Sequence, residues 1–375
     1  MNDPTSSALL GLTLQELTRI AEEHGQPSYR GQQLFEAIYR QRLDSAEEIS
    51  TLPRSFRISL EENGLSIGLP EIDKQFVSSD GTVRYLMKLA DGQSVETVWM
   101  PQGDGGESGD GSEAGDALNQ PARTWDRATI CVSSQVGCAV ACQFCLTALL
   151  GVKRNLTAGE ILGQVCAVLR DHRVCPPQDR VNIVFMGMGE PFLNYENFVR
   201  AARLLVEGVG IPEGSMTVST AGIVPRIYDF SGEVMRPKLA ISLNASNDEL
   251  RTRLMPINRK WNLEKLLTAA RDFRLRDREK LTFEYVLLNQ VNDAPQNARE
   301  LAELLRGLRA KVNLIALNPG PGIDFQTPED ERVLQFQKIL MAAGVPAFIR
   351  RPRGRDIYAA CGQLKRTVEI AVTSG

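Results

Sequence analysis

The residues with the clearest chemical potential are three cysteines in one short segment. Cys138, Cys142 and Cys145 have the spacing C-x3-C-x2-C. Thiolates that converge from one loop select zinc or an iron–sulfur cluster. Structural zinc usually takes four ligands, and no fourth Cys or His stands beside these three. The spacing therefore favours a cluster of four irons with one iron open to a small molecule, over zinc and over three buried free thiols.

The composition of the chain excludes several classes of protein. Its 375 residues are 43% hydrophobic and 24% charged, which is ordinary for a globular chain long enough for two or three domains. The sequence contains no run of about 18 apolar residues, which is the length that a membrane-spanning helix needs. His24 and His172 are the only histidines, and they are far apart in the sequence. This disfavours a His-rich metal site and a Ser–His–Asp triad. No basic residue precedes Arg19, as a secretory signal would require, so we expect a cytoplasmic protein.

Residues 1–100 are predicted to form a small helical accessory domain with a short β extension. Capping-box spacing and apolar periodicity predict helices over 13–25 and 31–41. Alternating apolar residues in 83–89 and a second run in 95–100 predict antiparallel strands.

Residues 101–124 are predicted to be a flexible acidic insertion. The run from 101 to 122 holds six glycines, five acids and no Lys or Arg. Such a composition is typical of a solvated loop with no packed structure. The net charge of the whole chain is −3, and without these five acids it becomes −3 + 5 = +2, so the rest of the chain is mildly basic.

Residues 125–368 are predicted to form an α/β domain, because short β-branched runs alternate with amphipathic helices. This alternation implies a parallel sheet with right-handed crossovers, hence a partial (β/α)6 TIM-like barrel whose site lies at the carboxyl ends of the strands. The three cysteines follow the first of these strands. The predicted strands are 128–132, 181–186, 216–220, 239–243, 282–288, 312–317 and 347–350, and the predicted helices are 158–170, 195–207, 263–275, 295–308 and 329–343.

Six ordered motifs make the chain resemble one family, the RlmN/Cfr family of radical S-adenosylmethionine (SAM) RNA methyltransferases. These enzymes methylate adenine at carbon-2, or at carbon-8 in the Cfr relatives. The resemblance covers about residues 10–365, and it departs from the family pattern in the segment LTALLG (146–151) and in the length of the acidic insertion. The motifs are ICVSSQVGC (130–138), which leads into the three cysteines, MGMGEP (186–191), STAG (219–222), ISLNA (241–245), LNPGPG (317–322) and AACGQL (359–364).

The resemblance implies a fold, a cofactor set and a reaction. The fold is the partial barrel of radical SAM enzymes, with one 4Fe–4S cluster on the three cysteines and two SAM molecules consumed per turnover. One SAM methylates Cys361, and reductive cleavage of the other gives a 5′-deoxyadenosyl radical that takes a hydrogen from this methyl group. The resulting methylene radical adds to carbon-2 of adenine in 23S rRNA or tRNA. An external electron donor, such as a flavodoxin-type protein, is implied as well.

The resemblance also assigns the release of the product to Cys131 and Glu96. Cys131 would form a disulfide with Cys361, and Glu96 would accept the proton from the adenine. Taken alone, Cys131 equally fits an inward-facing core thiol, and Glu96 equally fits a solvent-facing strand residue. The functional interpretation requires Glu96 to be buried near Cys131.

In the family pattern, SAM is bound by residues at or just after the ends of predicted strands. This is where the barrel rule puts a site. Ser242 and Leu243 also fit as strand residues that pack the barrel. The positions that match the family pattern are Gly189, Glu190, Ser219, Ser242, Leu243, Asn244 and Asn318.

Charge and aromatic content bear on the RNA partner. Arg350, Arg351, Arg353 and Arg355 precede Cys361 and could bind phosphates. Aromatic residues are only 6% of the chain, which disfavours a base-stacking sheet, so the target base must be extruded into the barrel mouth. We expect a monomer without membrane contact.

Three other functions remain open. They are a carbon-8 methyltransferase of 23S rRNA, a non-catalytic iron–sulfur protein that binds RNA or acts as a sensor, and an activase for another protein. The non-catalytic iron–sulfur protein would need neither Cys131 nor Cys361, and the activase would leave Cys361 unexplained.

Overall fold

The computed structural model describes residues 8–101, 125, 127–360 and 362–364. Both predicted N-terminal helices are confirmed, and a third one was not predicted. Thr13 and Glu16 form the capping box of the first helix, with the Thr13 backbone N–H donating to Glu16 at 2.7 Å. The helices are α1 (Leu14–Glu23), α2 (Tyr29–Phe35), which continues as a π-helical turn (Glu36–Gln41), and α3 (Arg54–Glu62).

Three antiparallel strands follow, β1 (Glu71–Val77), β2 (Val83–Lys88) and β3 (Ser94–Pro101). Strand β3 also pairs antiparallel with β4 (Arg127–Cys131). The antiparallel strands are therefore continuous with the sheet of the barrel, and the predicted boundary at residue 100 lies within a hydrogen-bonded sheet. The predicted insertion beyond Pro101 lies outside the described residues.

The α/β architecture with a mostly parallel central sheet is confirmed. Seven parallel strands occupy one side of a ten-stranded sheet with the order β1-β2-β3-β4-β7-β8-β9-β10-β11-β12. After β4, they are β7 (Arg180–Phe185), β8 (Met216–Thr220), β9 (Lys238–Ser242), β10 (Leu281–Leu287), β11 (Ala310–Ala316) and β12 (Ala347–Arg350). A separate antiparallel pair, β5 (Gln135–Gly137) and β6 (Val152–Asn155), was not predicted.

Helices connect the parallel strands. Two of them, over Val224–Ser231 and Asp248–Leu254, were not predicted, because helices of eight and seven residues are too short to display a clear apolar stripe. The helices are α4 (Ala158–Asp171), α5 (Tyr195–Leu204), α6 (Val224–Ser231), α7 (Asp248–Leu254), α8 (Leu263–Asp272), α9 (Pro295–Leu304) and α10 (Asp330–Ala342). No helix within the described ranges is long and apolar enough to cross a membrane.

Strand β3 has one face toward the helices and one toward the barrel interior. Thr97 donates to the Gln164 side chain of α4 at 2.8 Å, so Thr97 faces the helical layer. Successive residues of a strand point to opposite faces. Glu96 and Val98 therefore face the interior of the barrel.

The segment after β12 reaches back to the turn between β1 and β2. The backbone N–H of Gly354 donates to Asp80 at 3.0 Å, and Ser78 donates to Asp356 at 2.6 Å. These contacts join the two ends of the ten-stranded sheet, although its edge strands do not pair with each other in the described part of the chain. They also hold the C-terminal segment at the mouth of the barrel.

Candidate active site

The three predicted ligand cysteines lie in the loop between β5 and β6. Cys138 and Cys142 pack against an apolar cluster that includes Leu288 and Leu317, which directly follow β10 and β11. The cysteine loop therefore lies over the carboxyl ends of the barrel strands, as the barrel rule predicts.

Burial affects two of the three thiols in this loop. Burial raises the pKa of Cys138 to about 12, and the negative charges of Cys145 and Glu190 contribute. Burial also raises the pKa of Cys142, with contributions from Cys145 and Cys138. A bound metal would reverse these shifts, since a coordinating thiol is deprotonated outright.

The C-terminal segment is docked onto the same loop. The backbone N–H of Leu146 donates to the Gly362 carbonyl at 2.8 Å, and the Thr147 hydroxyl donates to the Leu364 carbonyl at 2.6 Å. Cys361 itself lies outside the described residues, so its predicted role is not tested. Its described neighbours are held against the cysteine loop.

Glu96 and Cys131 occupy neighbouring positions on the inner face of the sheet. Val98 pairs with Cys131. The Ser133 hydroxyl, two residues after Cys131, donates at 2.6 Å to the carbonyl of Glu96, two residues before Val98. Alternate strand residues share a face, so Glu96 and Cys131 are diagonal neighbours across β3 and β4. Both are buried, and Glu96 has no exposed surface. The burial that the functional interpretation requires is therefore present.

Sequence reasoning missed the ionic partner of Glu96. Arg84 on β2 is also fully buried and forms an ion pair with the Glu96 carboxylate. Its guanidinium carbon lies 4.2 Å from the centre of the Phe76 ring. Its Nε and Nη2 atoms have no hydrogen-bond partner in the described part of the chain. The sequence feature that could have revealed this ion pair is an arginine between Val83 and Tyr85, in the middle of an apolar strand.

Gly189 and Glu190 lie just after β7, where they were predicted. The Glu190 carboxylate accepts hydrogen bonds from the backbone N–H groups of Phe192 at 3.0 Å and Ala221 at 2.7 Å. Burial raises the pKa of Glu190 to about 7, and these hydrogen bonds oppose the rise. The Gln135 side chain accepts from the Glu190 backbone N–H at 3.0 Å, so the QVG strand of the first motif supports this turn. Gln135 is a second residue that sequence reasoning missed.

Two of the remaining predicted SAM residues are half-buried and close to each other. The hydroxyl oxygens of Ser219 on β8 and Ser242 on β9 are 3.2 Å apart. Both side chains belong to the inner face, at the carboxyl ends of adjacent strands. They are therefore accessible to a ligand in the barrel mouth.

The other three predicted SAM residues are already engaged within the protein. Leu243 has its side chain in the core, and its N–H donates to the Glu284 carbonyl at 3.0 Å. The Asn244 amide accepts from Val286 N–H at 2.8 Å, and the Asn318 amide accepts from Arg355 at 2.9 Å. Their predicted contact with SAM is not tested by this arrangement and stays a prediction.

Comparison with known proteins identifies the family. The family model described as the Radical SAM superfamily matches residues 132–305. A protein of Koribacter versatilis named "Probable dual-specificity RNA methyltransferase RlmN" is 64% identical over 94% of this chain and 100% of its own length. The chain belongs to the RlmN family. A Syntrophobacter fumaroxidans protein named "Dual-specificity RNA methyltransferase RlmN" is 43% identical over 94% of this chain and 96% of its own length.

A solved structure agrees with this membership of the RlmN family. The crystal structure of a radical SAM methyltransferase from Sphaerobacter thermophilus has a TM-score of 0.85 and 42% identity to this chain. It covers 96% of this chain and 99% of the other. The resemblance inferred from the six motifs is confirmed, and the chain is a radical SAM enzyme, a class that uses SAM and a 4Fe–4S cluster.

The cysteine loop fits a cluster better than it fits one metal ion. Within the described ranges, no three His, Cys, Asp or Glu side chains form a group that could hold a single ion. Thiolates that each bind a different iron of a cluster lie further apart than the ligands of one ion. The donor set of three thiols in an apolar, poorly solvated loop is the kind that iron–sulfur clusters use.

Replacing Gly189 by alanine is expected to weaken SAM binding about tenfold or more. Gly189 has φ +99°, and an added Cβ would lie 2.6 Å from the Gln135 Cβ. Strain of this kind costs about 1–3 kcal/mol, and about 1.4 kcal/mol corresponds to tenfold in affinity. Calorimetric titration of the cluster-loaded protein with SAM measures the effect. Gly210→Ala is the matched control, because Gly210 also has a positive φ but no atom within 3.5 Å of an added Cβ. Wild-type affinity in Gly189→Ala would remove Gly189 from the SAM site.

Proposed function

We propose that this RlmN-family protein methylates carbon-2 of adenine in 23S rRNA and in tRNA, with one 4Fe–4S cluster and two SAM molecules per turnover. The observation that carries the proposal is the placement of a fully buried Glu96 beside Cys131 on the inner face of the barrel. A radical SAM enzyme that only generates a radical has no need of a buried carboxylate next to a thiol. The names of the relatives support the choice of RNA as substrate.

In the proposed reaction, the cluster supplies the electron that allows SAM to be cleaved. Cys138, Cys142 and Cys145 hold the cluster, and Gly189, Glu190, Ser219, Ser242, Leu243, Asn244 and Asn318 bind SAM. Half-buried Ser219 and Ser242 offer hydroxyl groups for this purpose.

Cys361 carries the methyl group as a thioether, the 5′-deoxyadenosyl radical takes one hydrogen atom from it, and the resulting carbon radical adds to carbon-2 of the adenine. The radical adduct then gives up one electron to a one-electron acceptor. Glu96 takes the proton from carbon-2 of the adduct, and its ion pair with Arg84 fixes the orientation of the carboxylate. The Cys131 thiolate then attacks the sulfur of Cys361, so that a disulfide forms and the carbon–sulfur bond breaks. The released carbon keeps the electron pair of that bond and takes a proton from water, which gives 2-methyladenosine.

The RNA approaches from the carboxyl ends of the strands. Arg351 is exposed in the segment between β12 and the described neighbours of Cys361, and Arg350, Arg353 and Arg355 are close to it in sequence. Cations there would neutralise phosphates as the adenine enters the barrel mouth. We propose a cytoplasmic monomer that receives its electron from a flavodoxin-type donor.

A labelling experiment tests the proposal. Anaerobically reconstituted protein is given reductant, methyl-labelled SAM and either an rRNA fragment or tRNA, and the digested nucleosides are separated by mass spectrometry. We expect label in 2-methyladenosine from both RNAs, and none with Cys361→Ala. Label in 8-methyladenosine would contradict the position of attack. Cleavage of SAM without any methylated adenosine would contradict the RNA substrate.

A further inference from the structure

Helix α7 brings a buried arginine to the cysteine loop. Arg251 lies in this helix and has no exposed surface. The backbone N–H of Gln143, next to Cys142, donates to the Leu254 carbonyl at the end of the helix at 3.0 Å. Leu254 also packs in the apolar cluster that Cys142 contacts. The helix is thus attached directly to the loop of the predicted cluster ligands.

All five N–H groups of Arg251 are used within the protein. They donate to oxygen atoms at the carboxyl ends of β8 and β9 and in the segment after α7, so none remains to bind a ligand. The acceptors are the carbonyls of Ala221 (2.7 Å), Leu243 (3.1 Å), Ser242 (3.2 Å) and Trp261 (3.5 Å) and the side chain of Asn258 (2.9 Å).

These hydrogen bonds satisfy the guanidinium but do not neutralise its charge. Two other buried arginines, Arg84 and Arg236, are each ion-paired with a glutamate. Among the residues that the structure describes, no carboxylate forms an ion pair with Arg251. Asp248 is reached only through Asn258, whose amide donates to it at 2.8 Å, and Asp248 is exposed to water. A buried charge without a partner is costly, so the protein must supply a negative charge elsewhere.

The guanidinium of Arg251 lies at the strand ends that the cysteine loop covers, because it donates to the Ala221 carbonyl and Ala221 packs in the same apolar cluster as Cys142. Three thiolates around a cluster make the site negative, and each added electron makes it more so. A fixed cation nearby favours that electron, because the net charge around a cluster sets its reduction potential.

We infer that Arg251 is the buried counter-cation of the iron–sulfur cluster and raises its reduction potential through charge alone, without touching the cluster or SAM. The inference rests on the part of the proposed function that assigns the cluster to Cys138, Cys142 and Cys145. It does not depend on the RNA substrate.

Two substitutions separate the charge of Arg251 from its hydrogen bonds. Arg251→Gln removes the charge, whereas Arg251→Lys keeps the charge and loses most of the hydrogen bonds. We expect Arg251→Gln to lower the equilibrium constant for one-electron reduction at least tenfold, which equals 59 mV. Arg251→Lys should stay within threefold of the wild type. Arg253→Gln is the matched control, because it makes the same charge change at an exposed position of the same helix and should have no effect.

A double variant tests the same point with Arg251 in place. Asn258→Asp combined with Asp248→Asn exchanges an amide and a carboxylate, so the net charge of the protein does not change. The carboxylate moves to the position that accepts from Arg251 at 2.9 Å. We expect the reduction equilibrium to fall as in Arg251→Gln. This variant decides the question if Arg251→Gln does not fold.

The measurement is a redox titration of anaerobically reconstituted full-length protein, followed by electron paramagnetic resonance of the reduced cluster. Iron and sulfide contents are determined first. Equal shifts in Arg251→Gln and Arg251→Lys would mean a structural role and overturn the inference, as would an unchanged potential in the double variant. A wild-type protein that binds no iron would overturn both the ligand assignment and the inference. Failure to methylate RNA, with the expected potentials, would overturn only the proposed substrate.

Discussion

Alanine in place of Glu96 is expected to trap the protein on its RNA substrate. Without the carboxylate, the proton on carbon-2 of the adduct loses its proposed acceptor, and we expect the bond between Cys361 and the base to persist. We expect adduct in near-stoichiometric amount and a fall in turnover of about 10²–10⁴-fold, the usual contribution of a general base. End-labelled RNA that migrates with the protein on a denaturing gel measures the adduct.

Two controls separate this chemistry from a loss of stability. Glu96→Ala leaves the Arg84 guanidinium buried without a partner, at a cost of about 3–5 kcal/mol. Glu96→Gln keeps a hydrogen-bond acceptor for Arg84 and should also accumulate the adduct. Glu71→Ala changes a solvent-exposed glutamate of the same sheet and should turn over normally. Turnover without adduct in Glu96→Ala would exclude Glu96 as the proton acceptor.

Alanine in place of Cys142 is expected to abolish both cluster binding and methylation. Cys142 is the middle ligand of the predicted set and packs in the apolar cluster over the strand ends. With two thiolates left, the cluster loses one of its three protein ligands, and we expect iron content to fall at least severalfold and SAM cleavage to disappear. Iron and sulfide analysis, with the visible absorption of the reconstituted protein, measures the loss.

Cys175 provides the matched control for this substitution. It is an exposed cysteine in the loop before β7, outside the predicted ligand set. Cys175→Ala should bind as much iron as the wild type and methylate RNA at the same rate. Wild-type iron content in Cys142→Ala, or an equal loss in Cys175→Ala, would contradict the ligand assignment.

The sequence was sufficient for the fold class and for most elements, because both follow from local periodicity. The predicted strands 216–220 and 347–350 have the observed bounds, and the other parallel strands differ by one or two residues. Helices α6 and α7 escaped prediction because each makes only about two turns. The pair β5–β6 escaped because three- and four-residue strands carry too few alternating side chains.

The candidate site, like the fold, could be predicted from the sequence only in part. Cys138, Cys142 and Cys145 were predicted from their spacing, because ligands on one short loop are close in space whatever the rest of the chain does. The resemblance to the family provided Glu96 and Cys131, but their sequence context left open whether Glu96 faces solvent. The pairing of β3 with β4 puts both residues on the inner face.

The sequence by itself determined the fold class and the family, and it predicted the cysteines that would carry the chemistry. Only the tertiary structure decided which charges meet inside the barrel. Arg84 is 12 residues from Glu96, and Arg251 is more than 100 residues from Cys142. Periodicity reports which face of an element is apolar, but it carries no information on which distant element supplies the partner of a buried charge. That pairing depends on strand register and helix packing, which exist only in the folded chain.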